Sequence, residues 1–123
     1  MSRHCLIVES TPLIAHDLAL TAQEYGLTPI IAANDQEALA CLAANAGVQI
    51  SLAFVHQKGS AFSASPLRRE LEALQVRIVL MGSTAAEGRE TVHWSVLDWP
   101  FTTGHVTALL DALGLRRPEG CGH

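Results

Sequence analysis

No stretch of this chain approaches the roughly 20 consecutive apolar residues that a membrane-spanning helix requires. Residues 4–8 are also too short for the core of a secretory signal, and Glu9 interrupts them. Positive charge is equally scarce. The chain has a single lysine, Lys58, and no basic cluster larger than the pairs Arg68-Arg69 and Arg116-Arg117. With a formal net charge of −4, it lacks the clustered cations that neutralise phosphates, which argues against nucleic acid as a main partner. Neither a membrane nor a nucleic acid is therefore expected. Cysteine is limited to Cys5, Cys41 and Cys121. An odd number at wide spacing suits reduced thiols in a cytoplasm better than a disulfide framework. Cys5 and Cys41 read as small core residues, and Cys121 as a thiol in the tail. Cys121-Gly122-His123 is too short for a structural zinc site, and His4, His16, His93 and His105 fall on separate elements. No metal and no cofactor is expected.

What is present is a core. Hydrophobic residues make up 49% of 123 positions, enough for one domain of ordinary size. The chain opens on Cys5-Leu6-Ile7-Val8, which reads as a strand buried on both faces. Glu9-Ser10-Thr11-Pro12 follows, where Thr11 is placed to cap a helix and Pro12 suits its first turn. A buried strand running into a capped helix opens a parallel α/β fold, with ligands and chemistry at the carboxyl ends of the strands. Glu9 and Ser10 stand at that end.

The device repeats along the chain. Helical spacing of Ile14, Leu18, Thr21-Ala22 and Tyr25 carries the first helix to a C-cap glycine, Gly26. Residues 28–33 form a second short strand. Asn34 and Glu37 have capping-box spacing and open a second helix, whose buried stripe is Ala38, Leu39, Leu42 and Ala43. A third strand runs from Ile50 to Val55 with His56 just past its end, and residues 57–64 make a flexible loop. Ser65-Pro66 starts a third helix reaching about Leu74. Arg77 to Met81 is a fourth strand, ending at Gly82-Ser83. Thr84 and Glu87 open a helix of about two turns before Gly88. Trp94 to Asp98 is a fifth strand, and Thr102 or Thr103 caps a last helix with Val106, Leu109, Leu110 and Leu113 on one face. Five strands alternating with five helices imply a five-stranded, doubly wound parallel sheet. Residues 1–115 make one domain, and 116–123 read as a disordered tail.

Three stretches carry a resemblance to a known family. Leu6-Ile7-Val8-Glu9-Ser10-Thr11-Pro12-Leu13-Ile14, Leu52-Ala53-Phe54-Val55-His56 and Val96-Leu97-Asp98-Trp99-Pro100-Phe101-Thr102 resemble, in order and spacing, the strand ends of the receiver domain of bacterial two-component response regulators. The resemblance covers about residues 4–115 and implies the flavodoxin-like (βα)5 receiver fold. It also implies where working residues belong. Receivers hold Mg2+ with carboxylates after the first strand, accept a phosphoryl group on an aspartate after the third, and read it with a hydroxyl and a lysine. In this chain Glu9 stands at the first acidic position and Ser10 at the principal metal-binding aspartate. His56 stands at the phosphoacceptor, Gly82 at the switch hydroxyl with Ser83 beside it, and Trp99 at the lysine.

Such a set cannot perform the family's chemistry. Mg2+ is a hard ion that wants charged oxygen ligands, and imidazole suits softer metals. Phosphoryl transfer depends on charge neutralisation, and here the lysine is an indole. An acyl phosphate cannot form on a histidine. The expectation is a degenerate receiver whose vestigial pocket comprises Glu9, Ser10, His56, Gly82, Ser83 and Trp99. His56 invites a phosphohistidine or a pH sensor as sharper readings, against a plain hydrogen-bonded side chain. Trp94, Trp99 and Phe101 suggest an interaction face, since tryptophan is favoured at interface hot spots. Ser10, Ser83 and His56 gather hydroxyls and an imidazole, but no Gly-x-Ser-x-Gly elbow accompanies them, and Gly82-Ser83-Thr84-Ala85 has no nucleotide fingerprint around it. An enzyme is not expected. The expected role is a phosphorylation-independent protein-interaction module in bacterial signalling, partnered by a kinase, regulator or scaffold, or by a second copy as a homodimer. The alternatives are a small-ligand module at the vestigial site, with Trp99 as the stacking group, and a receiver phosphorylated at an unconventional residue.

Overall fold

The structure is a computed structural model that describes residues 3–44, 47–56, 65–81, 95–97 and 103–114. Five strands, β1 (Arg3–Val8), β2 (Leu27–Ala32), β3 (Gln49–His56), β4 (Arg77–Met81) and β5 (Ser95–Leu97), form one sheet in the order β2-β1-β3-β4-β5. Every pairing is parallel. Four helices are described: α1 (Pro12–Glu24), α2 (Asp35–Ala44), α3 (Pro66–Ala73) and α4 (Thr103–Ala112). This is the flavodoxin-like, doubly wound arrangement. The two-turn helix expected after Thr84 lies outside the described residues.

The apolar runs of β1 and β3 exist because both faces of the sheet are covered. Leu6, Val8, Ala53, Val55 and Leu80 pack beneath α2 and α3 with Ala38, Leu42, Leu67 and Leu71. On the other face Cys5, Ile7, Leu52, Phe54, Val79 and Met81 meet Ala15, Leu18 and Ala22 of α1, and Val106 and Leu110 of α4. Tyr25 joins those two helices: its hydroxyl donates to Asp111 Oδ1 at 2.9 Å and lies 3.3 Å from the Thr107 carbonyl. The Arg77 guanidinium reaches the Leu113 carbonyl just past α4.

Several local expectations hold and a few need correction. Gly26 follows α1 at φ 77, a left-handed conformation that suits glycine. Ser65 caps α3 by accepting the Leu67 amide at 3.1 Å. Asn34 Oδ1 accepts the Glu37 amide as a capping box requires, while Glu37 Oε1 accepts the amide of Ala33, one residue before the cap. Thr11 holds the N-cap position of α1, yet its side chain makes no capping bond. Ala43 is exposed rather than buried, because helical geometry turns it about 140° from Ala38. Cys41 is half-buried on the flank of the same stripe. His56 closes β3 rather than following it.

Cys5 lies wholly inside the core, and burial pushes its thiol pKa well above the ordinary value of 9.0. A raised folded-state pKa leaves its stability contribution intact below the ordinary thiol range and removes it as pH rises beyond. The urea midpoint is therefore expected to fall above about pH 9, where the unfolded thiol ionises, and Cys5→Ala to flatten that fall. Equal alkaline slopes in both proteins would show that the thiol does not contribute.

A register irregularity separates His4 from Cys5 against β3, where Ile50 and Leu52 are the successive partners of those residues and Ser51 is skipped. Such a bulge leaves the extra residue out of the ladder. Among the described residues Ser51 Oγ and His4 Nδ1 are buried with no hydrogen-bond partner. An unsatisfied buried hydroxyl is a cost, so Ser51→Ala is expected to be neutral or stabilising by up to about 1 kcal/mol. A clear loss of stability on chemical denaturation would show that the hydroxyl is satisfied.

Candidate functional site

The carboxyl ends of β1 and β3 lie side by side, with Val8 opposite Val55 in the ladder. That adjacency brings together two residues 47 positions apart in sequence. Glu9 extends β1 by one residue and is held against the sheet edge, its amide donating to the Ala32 carbonyl at 2.9 Å. Its side chain is only 1% exposed. His56 ends β3, and its Nδ1 lies 2.9 Å from Glu9 Oε1, a contact that is an ion pair when the imidazole is protonated. The imidazole itself is 43% exposed, so it forms the solvent-facing half of the pair.

The second carboxylate oxygen is also committed. Glu9 Oε2 accepts the Thr11 amide at 3.0 Å. This bond orders the turn that leads into Pro12. A buried carboxylate is tolerated only when its oxygens find donors, and here the chain supplies them at both ends. Ser10, exposed at the lip, is neutral and carries no charge into the site.

Around the pair lies a cleft of about 440 Å³ lined by Val8, Glu9, Ser10, Ala33, Asn34, Asp35, Gln36 and His56. Of the residues expected in the vestigial pocket, Glu9, Ser10 and His56 are gathered here. Gly82, Ser83 and Trp99 lie outside the described residues, as do Trp94 and Phe101 of the expected interaction face. The start of α2 is the part that sequence reading missed. Asn34, Asp35 and Gln36 read as a cap and a first turn, but the carboxyl end of β2 opens into the same cleft as that of β1. Their position directly after a strand of a doubly wound sheet was the available signal. Asp35 adds a second carboxylate to the lining, and its Oδ2 accepts the Ser65 hydroxyl at 2.8 Å, tying the start of α2 to the cap of α3.

The donor set can be tested against the magnesium ion that the resemblance implies. An octahedral hard cation needs several charged or carbonyl oxygens free to turn toward it. Both Glu9 oxygens face donors of the chain itself, Ser10 beside it is neutral, His56 offers an imidazole, and Asp35 Oδ2 already accepts the Ser65 hydroxyl. Among the described residues no group of three or more His, Cys, Asp and Glu side chains could hold a metal. The described residues do not fit the ion.

No protein-family model matches the chain. No curated relative matches it either. Solved structures do. SdrG from Sphingomonas melonis Fr1 superposes with a TM-score of 0.69 at 25% identity, covering 93% of this chain and 98% of that one. The REC domain of the response regulator PhyR from Erythrobacter litoralis gives 0.68 at 20%, covering 95% of each. The chemotaxis protein CheY4 of Vibrio cholerae gives 0.67 at 19%, covering 91% of this chain and 98% of that one. The fold is that of response regulator receiver domains. Among the described residues, no helix is long and apolar enough to cross a membrane.

Proposed function

We propose that this chain is a pseudo-receiver: a non-enzymatic module of bacterial signalling that binds a protein partner without being phosphorylated. The receiver fold supports the signalling role, and the engagement of Glu9 with His56 and the Thr11 amide carries the rest. In a site that transfers phosphoryl groups, charge neutralisation by metal and cation is the main catalytic resource. Here the buried carboxylate is engaged from within, by a side chain standing where the acceptor aspartate would be. Signalling by such a domain passes through surface contacts, and Trp94, Trp99 and Phe101 are the residues we assign to them, with a kinase, regulator, scaffold or second copy of the chain as the partner class. Localisation in the cytoplasm accords with this reading.

Amide NMR spectra recorded during titration with Mg2+, then with Mg2+ plus beryllofluoride, test it directly. Unchanged signals around Glu9, Ser10 and His56 are the expected result. Saturable shifts at those residues would mean that the pocket still accepts a metal or a phosphoryl mimic, and the proposal would fall.

A further inference from the structure

We draw no further inference here: the strongest candidate, the apolar groove of about 450 Å³ lined by Leu39, Leu42, Val48, Ile50, Glu70 and Leu74 between α2 and α3, carries nothing because nothing in the structure shows what covers it.

Discussion

Replacing His56 by alanine is expected to destabilise the domain by about 2 kcal/mol, although the side chain is half-exposed and touches little of the core. Lost packing is not the reason. Glu9 is buried at the end of β1, and without the imidazole its Oε1 loses its donor while Oε2 keeps the Thr11 amide. Stranding one member of a fully buried pair costs about 3–5 kcal/mol. The cleft lets water approach the vacated oxygen and the pair is partly screened, which brings the cost below that range, to about 2 kcal/mol. The control is Glu9→Gln, which removes the charge but keeps an oxygen for the Thr11 amide. In the double variant the His56 substitution is expected to cost at least about 1 kcal/mol less than it does alone, since no buried charge is left behind. Urea denaturation of the four proteins gives the coupling. Strict additivity would mean that the two side chains stand together without interacting energetically.

The place of the pair is set by the fold and not by the chemistry of its two residues. Adjacent β1 and β3 must bring residues 9 and 56 together whatever they are, because the ladder pairs Val8 with Val55. An acidic residue at 9 buried beside an acidic residue at 56 would repel it and require a cation between them. A histidine at 56 supplies the counter-charge or the hydrogen bond directly.

Much of the fold was legible because its signals are local. Mostly apolar runs at residues 5–8, 50–55 and 78–81, ending at Glu9, His56 and Gly82, mark strands covered on both faces, and Ser65-Pro66 and Asn34 with Glu37 mark helix starts by side-chain chemistry alone. Thr11 occupies the cap position without a side-chain capping bond, and Glu9 bonds a different amide, that of Thr11 itself; spacing marks the position of a cap but not the rotamer that completes it. The site was legible in place but not in geometry. Glu9 and His56 were both named as pocket residues, yet nothing in their spacing says that they touch, since contact depends on the register of β1 against β3 and on the irregularity at Ser51. Asp35 was hidden by its helix-start chemistry, which explained it fully without reference to the cleft. Trp94, Trp99 and Phe101 remain a reading of residue types and family positions.

Phe54→Ala is expected to be the most damaging single substitution among these, at about 4 kcal/mol. Phe54 is 1% exposed and sits near the carboxyl end of the central strand, flanked in the ladder by Ile7 on β1 and Val79 on β4. Its ring belongs to the cluster that α1 and α4 cover. Truncation removes a large buried apolar surface and leaves a cavity that flanking backbones, fixed by parallel ladders on both sides, can close only partly. Against a domain stability of about 5–15 kcal/mol, the loss should lower the urea midpoint by about 2 M. Phe54→Leu keeps most of the volume and should cost less than half as much. The substitution also bears on the site, because Phe54 lies two residues before His56 on the same strand. Amide shifts reaching His56 and Glu9 in the leucine variant, with the fold retained, would show that packing on the α1–α4 face sets the geometry of the ion pair. Shifts confined to the Phe54 face would show that the pair is positioned by the ladder alone.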